Sequence, residues 1–163
     1  MVNEKSDVLK KILETAIVQE NKSKKFYLKM RDQIQNEDAR KRLKLMADSE
    51  QEHEEIVTSW YEEAYGKTFD PESTTSHENR LDVQKLDDNA ALIDVVRLIA
   101  KAENKAYQFY KNAAFTAKTP EEKKLFETLA SAEQMHADQS LTELDMLAGE
   151  EFFFSDEEIP WEI

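Results

Sequence analysis

Residues 20–53 and 103–136 carry one pattern twice, in the same register and offset by 83 positions. Glu20-Asn21-Lys22 falls on Glu103-Asn104-Lys105, and Phe26-Tyr27 falls on Phe109-Tyr110. With the offset unchanged, Ala47 falls on Ala130, Glu50-Gln51 on Glu133-Gln134, and His53 on His136. Shared helical composition does not produce gap-free agreement over such a length. The chain therefore holds two copies of one unit related by an approximate two-fold axis, and its fold has to accommodate that symmetry.

Each copy reads as a helical hairpin. In the first helix, about 6–35, Leu9, Leu13, Ala16, Glu20, Ser23, Tyr27, Met30 and Ile34 recur at alternating spacings of four and three, which is one helical face. Ser6 or Asp7 suits its N-cap. Asn36-Glu37-Asp38 is a capped turn, too short for anything but an antiparallel return. The second helix, 37–65, has the stripe Ala39, Leu43, Met46, Glu50, His53, Val57, Trp60 and Ala64, and Gly66 suits the position just past its end. Residues 66–89, with Asp70-Pro71 and Ser73-Thr74-Thr75-Ser76, are loop chemistry. The third helix, about 90–118, aligns Leu92, Val96, Ile99, Glu103, Ala106, Tyr110, Ala113 and Ala117. Thr119-Pro120-Glu121-Glu122 then opens a fourth: a capping hydroxyl, proline in the first turn, and acids near the positive end of the helix dipole. It is expected to run to about Ala148, with Gly149 ending it. Met46, Met135, Phe26, Phe109 and Trp60 read as packing residues, and His77 as a solvated linker residue.

These elements predict an all-α fold, a four-helix bundle with one long crossover between helices 2 and 3. Only two glycines and three prolines interrupt the chain, as long helices require. Helices of this length are ~42 Å long, and the linker can reach ~75 Å fully extended, so it can return the chain to the starting end. Residues 1–149 form one bundle domain. Residues 150–163 form an acidic, aromatic tail with Phe152, Phe153, Phe154, Ile159 and Trp161, expected to pack on the bundle or a second subunit.

Carboxylates interrupt the apolar stripes, and their depth is defined. The midpoint of Glu20 and Glu50 is position 35, and that of Glu103 and Glu133 is 118; each midpoint lies in a hairpin turn. Each pair therefore shares one level, ~22 Å from its turn. One Glu-x-x-His pair alone is ordinary helix surface. Two, each with an inward glutamate thirty residues upstream, place four carboxylates and two imidazoles together at mid-bundle. Buried without counterions, four carboxylates repel one another and are heavily desolvated. Two divalent cations balance the four negative charges, and neutral imidazoles add none. The expected ligands are Glu20, Glu50, His53, Glu103, Glu133 and His136, with Glu50 and Glu133 bridging and Glu20 and Glu103 terminal. Oxygen and imidazole donors without sulfur suit iron or manganese, with zinc as a competitor. Tyr27 and Tyr110 lie seven residues beyond Glu20 and Glu103, where they can hydrogen-bond the ligating carboxylates or satisfy their hydroxyls elsewhere in the core.

A net charge of −13 argues against a nucleic-acid partner, since no basic stripe is present to neutralise phosphates. The absence of cysteine excludes disulfides, thiolate zinc sites, iron–sulfur centres and rubredoxin-type modules within these residues. The charged start, Met1 to Lys11, lacks an apolar signal core, and no apolar run reaches spanning length. A cytoplasmic protein without a membrane partner is the expectation.

On Glu20, Glu50-x-x-His53, Glu103 and Glu133-x-x-His136, the sequence resembles the rubrerythrin-like branch of the ferritin-like superfamily over about residues 6–148. The resemblance implies a centre of two iron ions that meets oxygen or hydrogen peroxide and cycles between diferrous and diferric states. It implies an oxidoreductase, a homodimer more readily than a hollow shell, and, in the absence of a rubredoxin module, a separate redox donor protein. The alternatives are an iron-storage or detoxification protein that oxidises ferrous iron, and a bundle with a structural metal only. Rubrerythrins carry a further glutamate one turn after the third-helix ligand; here that position is Ala106, so their ligand switching is not expected.

Overall fold

The computed structural model describes residues 7–73 and 91–155, the last six as backbone only. Its α-helices are α1 (Asp7–Gln33), α2 (Glu37–Tyr65), α3 (Leu92–Thr116) and α4 (Pro120–Ser155). Ser6, the linker from residue 74 with His77, and the tail residues Ile159 and Trp161 lie outside the described residues.

Local chemistry sets the boundaries. Asn36 is extended and its Oδ1 accepts the Ala39 N–H at 2.9 Å, capping α2. Such a cap contributes about 1 kcal/mol. Gly66 closes α2 in the left-handed conformation, φ 64°, and donates its N–H to Glu62 O at 2.8 Å. A side chain there would strain the turn. Thr119 Oγ1 accepts the Glu122 N–H at 3.2 Å, while the Glu122 carboxylate reaches back to the Lys118 N–H at 2.9 Å. This reciprocal arrangement makes Pro120 the first residue of α4. Gly149 does not end α4, which continues to Ser155. A helical glycine costs about 1 kcal/mol relative to alanine, which weakens a helix without stopping it. The linker opens with a 3-10 turn over Pro71–Ser73 rather than irregular loop, closed by Ser73 N–H and Oγ on Asp70 O.

Every member of the α1 stripe from Leu9 to Ile34 is buried. Two apolar clusters fill the bundle. One joins Leu9, Leu13 and Ile17 of α1 to Val57 and Tyr61 of α2, Tyr110 and Ala113 of α3, and Phe126 and Leu129 of α4. The other joins Tyr27, Met30 and Ile34 to Leu43 and Met46, and to Val95 and Ile99. Burying each large aliphatic or aromatic side chain contributes about 1.5–3 kcal/mol. The memberships fix direction: the start of α1 meets the ends of α2 and α3 and the start of α4. The end of α2 and the start of α3 therefore lie at opposite ends of the bundle, so the connection has to travel its length. By Glu72 it has reached the middle of α1, where Glu72 pairs with Lys25.

On α2, Tyr61 rather than Trp60 is the fully buried ring; Trp60 packs against the cluster from its edge. A partly buried tie between α2 and α4 joins the hairpins: Arg42 donates to Ser140 Oγ at 3.0 Å and to Glu143 Oε2 at 3.1 Å. No helix among the described residues is long and apolar enough to cross a membrane.

Candidate metal centre

Between the two apolar clusters, the four helices bring six acidic and imidazole side chains to one level. Glu20, Glu50, His53, Glu103 and Glu133 are buried, and the His136 side chain is 15% exposed. One group of donor atoms comes from Glu20, Glu50, His53 and Glu133, the other from Glu103, Glu133 and His136; within each group all donor atoms lie within 4.8 Å of one another. Glu133 belongs to both groups, whereas Glu50 belongs to the first.

The two imidazoles stand side by side, ring centroids 5.9 Å apart and planes 26° from parallel. His53 Nδ1 lies 3.1 Å from Glu133 Oε1, 3.9 Å from Glu50 Oε2 and 4.0 Å from Glu20 Oε2. His136 Nδ1 lies 3.3 Å from Glu103 Oε2. Both Nδ1 atoms, Glu50 Oε2 and Glu103 Oε2 are buried without a hydrogen-bond partner among the described residues. Buried polar atoms are almost always satisfied, so lone pairs left open around common points fit a cation bound between them.

Hydrogen bonds cross from one copy of the repeat to the other. Tyr27 on α1 donates to Glu103 Oε1 on α3 at 2.7 Å, and Tyr110 on α3 donates to Glu20 Oε1 on α1. Each tyrosine is edge-packed on the phenylalanine before it, Phe26 at 5.8 Å and Phe109 at 5.2 Å between centroids. The repeated Phe-Tyr thus aims a hydroxyl at the opposite hairpin's glutamate and leaves that carboxylate's second oxygen for the centre.

The electrostatics follow from burial. Desolvation pushes the Glu50 carboxyl well above its ordinary range, and the neighbouring Glu20 and Glu103 charges push it further. Burial lowers His53 and keeps its imidazole neutral, which Glu20 partly opposes. Burial also raises Glu103, but the close approach of His136 and Glu133 and the hydrogen bond from Tyr27 outweigh it and hold that carboxyl below its usual range. Desolvation and the Glu103 and Glu50 charges hold the Tyr27 hydroxyl well above its usual value, as a donor.

Several residues beside the centre escaped the sequence reading. Ser49 Oγ lies 3.4 Å from His136 Nε2. Asn21 donates to Glu54 at 3.0 Å, and Lys24 donates to Gln51 at 2.8 Å and pairs with Glu54. These contacts lock α1 to α2 beside Glu20 and His53. Ser49 was detectable as the residue that the 83-residue offset pairs with a non-matching Ala132. Ala106 is buried one turn after Glu103 and carries no donor atom.

The rubrerythrin family model matches residues 11–144, which include all six side chains. The chain belongs to the rubrerythrin family. A hypothetical protein from Pyrococcus furiosus shares the fold, with a TM-score of 0.66 and 24% identity over 86% of this chain and 90% of that one. No curated protein matches the sequence. Membership of the rubrerythrin family and the buried Glu/His cluster together support metal binding by this chain, whose described residues form a helical bundle.

Proposed function

We propose that the protein is a di-iron oxidoreductase that reduces hydrogen peroxide or oxygen. The observation that carries this reading is Glu133, whose carboxylate belongs to both donor groups. A shared carboxylate between two nitrogen-and-oxygen sets is the arrangement of a dinuclear centre rather than of two unrelated sites. Glu20, Glu50, Glu133 and His53 would hold one ion, and Glu103, Glu133 and His136 the other. When bound, the pair supplies two electrons to an O–O bond, one from each ion.

The protein's own residues prepare that chemistry. Tyr27 and Tyr110 fix the terminal carboxylates by donating hydrogen bonds to Glu103 and Glu20. The apolar clusters above and below exclude bulk water and strengthen every charge interaction at the centre. The His136 side chain, 15% exposed, would be the side on which a small oxidant reaches the ions. The electrons that reduce the ions again would come from a donor outside these residues, since the sequence has no cysteine to ligate a second, rubredoxin-type redox centre. Anaerobic loading with ferrous iron, followed by stopped-flow mixing with peroxide or oxygen, tests the reading. Rapid oxidation of both ions by at least one oxidant supports it, and oxidation by neither contradicts it.

A further inference from the structure

The repeat makes the two halves of the centre nearly identical, and Ser49 breaks that identity. Ser49 Oγ lies beside His136 Nε2, and the offset of 83 pairs Ser49 with Ala132, so the repeat carries a methyl group at the position that corresponds to this hydroxyl. The two donor groups differ in the same sense. His53 is 7% exposed and shares its group with three carboxylates, whereas His136 is 15% exposed and shares its group with two. The position with fewer protein ligands and more solvent is the one whose imidazole has the added hydroxyl.

We propose that Ser49 is a positioning residue for His136, accepting its Nε2–H and thereby fixing the ring with the Nδ1 lone pair directed at the centre. The opposite tautomer would point an Nδ1–H at Glu103 Oε2, 3.3 Å away, and would make Ser49 the donor. A metal on Nδ1 and a proton on Nδ1 exclude each other. With an ion on Nδ1 the ring proton sits on Nε2, and Ser49 Oγ, 3.4 Å away, is placed to accept it, as partners of ligating histidines do generally. At the corresponding position the repeat has Ala132 in place of a serine, and the His53 group holds one more carboxylate. The two metal positions are consequently inequivalent, and one residue tunes the weaker of them.

This inference rests on the dinuclear reading, and the test separates the two. Cobalt(II) titration of the metal-free full-length protein, followed by visible absorption, reads both binding steps. In parallel, 15N-imidazole NMR of the zinc-loaded protein reads the tautomer and the protection of each Nε2–H. The wild type should bind two cobalt ions in resolvable steps. S49A should weaken one step about tenfold, leave the other in place, and expose the His136 Nε2–H to fast solvent exchange while the His53 signals stay unmoved. A132S, which offers a hydroxyl to His53, should tighten the other step. Unchanged constants in both variants, or equal weakening of both steps in S49A, would overturn the role of Ser49. A wild type that takes up no cobalt would overturn the centre itself, and with it this inference.

Discussion

Tyr27 donates its hydrogen bond to Glu103, 2.7 Å away on α3, and not to Glu20 on its own helix. Tyr110 returns the exchange to Glu20. The two hairpins are thus fastened through the acids of the centre, so the loss of one hydroxyl is felt both by the carboxylate and by the packing.

Tyr27→Phe removes the donor and preserves the ring that fills the core beside Met30 and Leu43. Glu103 Oε1 then loses its partner in a buried site, at a cost of about 1–3 kcal/mol. Chemical denaturation of the metal-free variant should show a loss in that range, and Tyr110→Phe should behave alike through Glu20. A variant as stable as wild type would show that the hydroxyl contributes nothing to the fold.

Metal uptake should release protons. Glu50 is raised well above its ordinary range by burial and by its acidic neighbours, so in the metal-free protein it stays protonated above the pH at which a free carboxyl ionises. An arriving cation must displace that proton. Adding divalent metal in weak buffer should therefore acidify the solution. Apparent affinity should fall about tenfold per pH unit, for each displaced proton, once pH drops below the raised Glu50 value. His53 is lowered and already neutral, so it adds its own proton competition only below the usual histidine range. In the metal-free fold the Glu50 shift has a second consequence: its contribution is stabilising below its unfolded value and is lost as pH rises through the folded one. Affinity independent of pH across this window would contradict the shift.

Arg42, Ser140 and Glu143 have repeat counterparts in Leu125, Val57 and Trp60, which sit in or against an apolar cluster at the other end of the bundle. One end is tied by a charged hydrogen-bonded group, the other by packing. Arg42→Leu alone strands the buried Ser140 hydroxyl and should cost about 1–3 kcal/mol. Arg42→Leu with Ser140→Val copies the apolar solution and should recover most of that loss. A double-mutant cycle in denaturant measures the coupling; strictly additive losses would show that the tie is not cooperative.

The helical faces and the level of the centre were legible before any coordinates, because a stripe from Leu9 to Ile34 has one solution on a helix and the Glu20–Glu50 midpoint has to be the turn. The crossover followed from the two-fold repeat. What periodicity does not encode is which neighbour a side chain meets across the bundle. Hence the exchange between Tyr27 and Glu103, the contact of Ser49 with His136, and the assignment of Glu133 to both donor groups but Glu50 to one emerged only in three dimensions. Tyr61 and Trp60 are adjacent on the helix edge, and tertiary packing rather than spacing chose Tyr61 for the interior. Gly149 misled because glycine marks a helix end only when the backbone turns left-handed there, as it does at Gly66.

Metal stoichiometry tests the dinuclear centre most directly. After anaerobic loading with ferrous iron and removal of excess, the wild-type protein should retain two iron ions per chain. Glu133→Ala deletes the carboxylate common to both groups and should retain fewer than one, while circular dichroism confirms that the helices persist. A wild type that holds well under two ions, or a Glu133→Ala variant that still holds two, would contradict a centre built around Glu133.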